Sequence, residues 1–99
     1  ALLGNVLEMD DVHRSALLHP GPVVWPTVLN NPDAAMAAVL DAAVRGYEAM
    51  IAVGASFDAR HYAHWHNTAT AGVFGAAAAA ADLLELGEEA TADALALAG

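Results

Sequence analysis

An all-α fold is predicted by three observations. Apolar residues recur at helical spacing through the middle of the chain, proline and glycine divide it into short segments, and no convincing stretch alternates apolar with polar residues as a half-buried strand would. The breaks fall at His19-Pro20-Gly21-Pro22, at Pro26, at Asn31-Pro32 and at Gly87. They leave four or five helical segments, with no internal repeat.

The first segment, residues 2–11, places Leu2, Leu3, Val6, Leu7 and Met9 on roughly one helix face, and a polar stretch over residues 10–15 ends it. The His19–Pro22 loop cannot be regular helix, because its prolines remove backbone donors. Residues 23–29 are a short apolar element, helix or extended, whose type Pro26 leaves open. Asn31-Pro32-Asp33 is a good helix start: Asn31 can cap free amides, Pro32 fits the first helical position, and Asp33 suits the positive end of the dipole. Met36, Val39, Leu40, Ala43, Tyr47, Met50 and Ile51 then follow helical spacing. Asp41, Arg45 and Glu48 fall on the opposite face, with Asp41 and Arg45 spaced as an i,i+4 pair, and Gly54 is the expected stop. Residues 56–63 suit a short helix and residues 65–68 a loop. Thr68 or Thr70 can cap a helix over residues 69–86, with Gly87 at its C-cap, and Glu88 begins one more helix.

Hydrophobic residues make up 58% of the 99 residues, and much of that is alanine, which packs helices closely but buries little area each. Such a chain suits a slice of a larger core better than a core of its own. Its ends agree: it starts at Ala1 without a basic leader, and stops at Gly99 straight after a helical alanine/leucine run. The expectation is one helical domain over residues 1–99, cut from a longer sequence at both ends; a natural small helical domain is the alternative. No cysteine is present, so disulfides and thiolate metal sites are excluded. The longest apolar or glycine run, residues 71–81, is too short for a bilayer, which takes roughly 20 apolar residues, and no membrane segment is expected. Twelve acids against three arginines and no lysine give a net charge of −9. That argues against nucleic acid as a partner and is awkward for an anionic substrate.

Two clusters carry candidate chemistry. Glu8, Asp10, Asp11 and His13, followed by His19, put carboxylates and imidazoles where a helix gives way to a Pro/Gly loop. The plain alternative is a solvated helix end with an incidental histidine. The second cluster is His61, His64 and His66 beside Tyr62 and Trp65. His61 and His64 are read as surface or packing histidines. His66 precedes a threonine-capped helix whose free amides suit a substrate carboxylate. Gly72 and Gly75 in that helix each cost about 1 kcal/mol relative to alanine, which points to close helix packing first and close substrate approach second. The histidines match no strong metal pattern, and Ser15 and Ser56 lack a nucleophile-elbow context, so neither a metal site nor a serine nucleophile is expected.

Two stretches resemble the MmgE/PrpD family. Glu8-Met9-Asp10-Asp11-Val12-His13, followed by His19-Pro20-Gly21, is similar to the family's acidic Asp-Asp-Thr-His segment and its downstream His-Pro-Gly. Gly46-Tyr47-Glu48 resembles its Gly-Tyr-Glu helix, and His66-Asn67-Thr68-Ala69-Thr70-Ala71-Gly72-Val73-Phe74-Gly75-Ala76 its His-Pro-Thr-(Ala/Gly)-x-Ala-Gly-x-Phe-Gly-Ala segment. The likeness covers nearly the whole chain. The resemblance implies a helical bundle belonging to a two-domain enzyme with a smaller α+β lid and the active site between them. It implies a cytoplasmic homodimer that needs no metal or organic cofactor and acts on small di- or tricarboxylic acids. The family's activities include 2-methylcitrate dehydratase, cis-aconitate decarboxylase and iminodisuccinate epimerase.

Carried over by position, His19 and His66 match the family's two active-site histidines. Glu8 sits where the decarboxylases have an aspartate. Val12 replaces a threonine, with the loss of one substrate hydrogen bond, and Asn67 replaces a proline. The family's active-site lysines fall beyond Gly99, which would answer the charge puzzle. The expected activity is dehydration, with decarboxylation, epimerisation or a non-enzymatic packing module as alternatives, and the piece alone is expected to be inactive. These reactions move a proton at a carbon next to a carboxyl group, work that suits histidine. The catalytic residues are therefore expected to be His19 and His66, with Asp10 or Asp11 setting a histidine tautomer. Glu8, His13, Thr68 and Gly72 are expected to bind substrate.

Overall fold

The computed structural model describes residues 3–99. These form five helices and no strand: α1 Gly21–Leu29, α2 Met36–Ala55, α3 Ala59–Tyr62, α4 Asn67–Leu83 and α5 Glu88–Ala98. The all-α expectation holds. Helices α2 and α4 make the main packing pair, α1 lies against both, and α5 packs on α4.

Small residues let α2 and α4 approach closely. A Cβ on Gly75 would come 2.7 Å from Met50 Cβ and 2.9 Å from the Gly46 carbonyl oxygen, and one on Gly46 would lie 3.0 Å from the Gly75 carbonyl. Two glycines facing each other therefore set the crossing distance, and the ~1 kcal/mol each costs in helix propensity is offset by packing. Around the crossing lie two apolar clusters. Val24, Val28, Val39, Ala42, Ala43 and Ala79 form one, and Ala16, Leu18, Met50 and Ala71 the other.

Several local expectations are corrected. Residues 3–11 form turns, not a helix, and Leu3, Val6, Leu7 and Met9 are exposed; Leu2 lies outside the described residues. The Glu8 amide closes a turn on the Asn5 carbonyl, and Glu8 takes a left-handed φ of 50°, which a helix does not tolerate. The proline-rich loop turns helical already at Gly21, and the open element after it is helix α1. Pro22 falls in its first turn, where a missing N–H costs nothing, and Pro26 is accommodated within it. Helix α2 starts at Met36, five residues after Asn31, because Ala34 N–H bonds back to Asn31 O and Ala35 is extended. Its buried face is Val39, Ala42, Ala43, Gly46, Met50 and Gly54, while Met36 and Leu40 are exposed. Arg45 pairs with Asp82 on α4 instead of Asp41.

The ends of α4 also differ from expectation. Its N-cap is His66, not a threonine. It stops at Leu83 because Glu85 takes the left-handed position (φ 52°), with Leu86 N–H bonding back to Ala81 O. Gly87 instead precedes α5, whose first turn carries Glu88 and Glu89 at the favourable end of the dipole.

Candidate functional site

The loop ahead of α1 and the start of α4 meet at a cleft of about 470 Å³. His19, His66, Thr68 and Gly72 line it, joined by Asn5 and by apolar walls from Pro22, Val23, Ala69, Val73 and Ala76. The two imidazole rings lie 6.3 Å apart, centre to centre, and the Tyr62 ring lies 5.8 Å from that of His66. None of the three arginines lines the cleft.

Local hydrogen bonds place each histidine. His66 caps α4 through its ring: Thr68 N–H donates to His66 Nδ1 at 3.2 Å. A nitrogen that accepts carries no proton, so the neutral ring bears its hydrogen on Nε2. Thr68 then holds the other histidine, because its hydroxyl accepts the His19 backbone N–H at 2.9 Å. Next to it, buried Asn67 donates from Nδ2 to Ala16 O at 2.8 Å, tying the loop to the helix from below. Proline at this position would have no such donor.

Behind His19 stands Asp10. His19 Nδ1 is 3.0 Å from Asp10 Oδ2, off the line of a ring N–H, a short contact that is not a linear hydrogen bond. Nδ1 is buried, and the edge of the ring left accessible is that of Nε2. The Asn5 side-chain amide lies 2.9 Å from both Asp10 oxygens. That contact is the chief reason the Asp10 carboxyl titrates below its ordinary value. Burial opposes it, and the residue's own backbone N–H and His19 add to the lowering. Asp10 therefore stays ionised beside His19.

The other expected site residues go elsewhere. Asp11 Oδ1 accepts Gly21 N–H at 3.0 Å, and Asp11 faces a neighbouring cleft with Gly4, Trp25 and Pro26. His13 Nδ1 accepts Ala16 N–H at 3.3 Å, and its backbone pairs with Leu18, which makes it a turn residue. Glu8 is exposed and lines neither cleft. His61 stacks on Phe57 at 4.1 Å and reaches the Thr70 hydroxyl at 3.0 Å, a packing histidine as the sequence suggests. Asn5 is the cleft residue that the sequence pattern hides. It sits among apolar neighbours in an apparent helix, and its one signal is Gly4-Asn5, a turn-forming pair.

A family model, the MmgE/PrpD N-terminal domain, matches residues 1–99. No curated protein and no solved structure matches the chain.

Proposed function

Because the chain belongs to the MmgE/PrpD family through its N-terminal domain, we propose that it carries the histidine side of a lyase active site for citrate-like di- or tricarboxylic acids. The reaction is an elimination of the 2-methylcitrate dehydratase type and runs without a metal or organic cofactor. The reading rests above all on one observation: two histidines from distant parts of the chain share one cleft, His66 capping α4 through Nδ1 and His19 with Asp10 behind its ring.

His19 is the base. The ionised Asp10 carboxylate, 3.0 Å from Nδ1, favours by its charge the tautomer with the proton on Nδ1 and the Nε2 lone pair on the accessible edge. That nitrogen takes the proton from a carbon next to a substrate carboxyl group. Negative charge builds on that carboxyl as an enediolate, and a donor fixed beforehand lowers its energy. His66 Nε2–H is such a donor, since its Nδ1 is occupied by the cap. Elimination then breaks the carbon–hydroxyl bond and forms the carbon–carbon double bond. The proton on His19 passes to the departing hydroxyl, water leaves, and the imidazole returns to its starting state. Epimerisation would use the same base but needs no proton at a leaving hydroxyl, whereas decarboxylation releases carbon dioxide and needs a proton donor to the carbanion left behind.

The apolar walls suit the carbon skeleton, and the absence of arginine from the cleft leaves the remaining carboxylates to cations from outside these residues. In the full-length protein, His19→Ala and His66→Ala should each lower the rate of water loss from 2-methylcitrate by about 10²–10⁴-fold. Near wild-type rates for both variants on every accepted substrate would sink the assignment.

A further inference from the structure

Asp10 and Asp11 are consecutive, yet their carboxylates go to different places. Asp10 stands behind His19, while Asp11 reaches forward to the start of α1. The first turn of α1 explains why an acceptor is needed there. Val23 and Val24 amides both return to Pro20 O, and Pro22 has no amide hydrogen. Gly21 N–H is left over, and Pro20 at the N-cap offers no side-chain acceptor. Asp11 supplies one from ten residues upstream.

A third group closes on the same point. A Cβ at Gly21 would run into Asp11 Oδ1 and lie 3.2 Å from the Tyr47 hydroxyl. Only glycine leaves room for both. Tyr47 comes from α2, next to Gly46 at the crossing with α4, so its position is referenced to the packed core. Burial, and the Asp11 carboxylate that closes on the same point as its hydroxyl, push the phenol up to about 12. Its ring lies outside the histidine cleft.

We propose that Tyr47 is a positioning residue for the histidine cleft: through Asp11 it fixes the first turn of α1, and with it the residue 10–20 stretch that carries His19. The link to catalysis rests on reading that cleft as a lyase site. Tyr47 touches no substrate. It holds the carboxylate that holds Gly21, two residues from His19.

The test uses the full-length protein with Tyr47→Phe, Asp11→Asn and the double variant. Tyr47→Phe removes one hydroxyl and should speed amide exchange in the peptide over residues 12–24 by about tenfold, the scale of one hydrogen bond, leaving α4 peptides unchanged. It should lower kcat on 2-methylcitrate by about tenfold with KM within about twofold, since the base is misplaced rather than the binding surface lost. The double variant should be no worse than Asp11→Asn alone, because both changes break one contact. Unchanged exchange over residues 12–24, or losses that multiply in the double variant, would overturn the proposal. If Tyr47→Phe does not fold, Asp11→Asn must show the same exchange and kcat changes, and their absence overturns it equally. A wild-type protein that turns over no carboxylic acid, yet shows the exchange change and the coupling, removes the lyase reading and leaves the Tyr47–Asp11–Gly21 clamp standing.

Discussion

The two halves of α4 are held by different means. Its first turn is tied by directional polar bonds: the His66 cap, the Asn67 amide on Ala16 O, the Thr68 hydroxyl under His19, and Thr70 against His61. From Gly75 onward it is held by close contact between small residues, with Arg45–Asp82 as its cross-helix ion pair. Packing decides where the helix lies. Hydrogen bonds decide where side chains at its end point. The candidate site sits at the polar end, where position matters to a fraction of an ångström, and the apolar crossing supplies the frame.

The sharpest way to break the comparison is Gly75→Ala. The new methyl would meet Met50 Cβ and the Gly46 carbonyl, neither of which can rotate away. Stability in urea unfolding should fall by about 2–3 kcal/mol. Gly72→Ala in the same helix is the control. Its Cβ would meet side-chain methyls alone, those of Val23 at 3.3 and 3.4 Å and Met50 Cε at 3.8 Å, and stability should stay within about 1 kcal/mol of wild type. Equal losses at the two sites would show that the crossing is not the frame.

At the polar end the expected effect is smaller. Asn67→Ala strands the buried Ala16 carbonyl and should cost about 1–2 kcal/mol. Amide exchange should quicken over residues 13–19 while the Gly46–Gly75 crossing keeps its protection. Loosening of both regions together would contradict the division. The smallest change lies at the other end of the helix. Glu85→Gly relieves a left-handed side-chain residue and should raise stability by about 0.5–1 kcal/mol, seen as a higher Tm, without touching the cleft.

Much of the fold was legible because helical packing leaves a periodic trace. The apolar spacing after Met36, the glycines of α4 and the break before α5 all lie in short windows of sequence. The misread parts depend on contacts between windows. The apolar residues 3–9 carry helix-like spacing, but Asn5 is taken by Asp10 and Glu8 turns left-handed, so the helix never forms. The choice of cap at α4 was hidden for a related reason. His66 rarely competes with threonine in local preference, yet here both Thr68 and Thr70 lie inside the first turn. In the candidate site, His19, His66, Thr68 and Gly72 do converge. Asp10 and Asp11 are equal in sequence, and only the position of α1's free amide separates them. Glu8 and His13 are near the cleft along the chain but not in space, because the turn over residues 13–18 is closed by its own backbone.

Thr68 gives both halves of the candidate site one reference point. Its amide grips one imidazole and its hydroxyl grips the backbone of the other. Both rings thus take their datum from a single residue, as two jaws take theirs from one caliper bar. Asp11 sets the His19 stretch from the α1 side, and Thr68 gauges it against His66 from the α4 side.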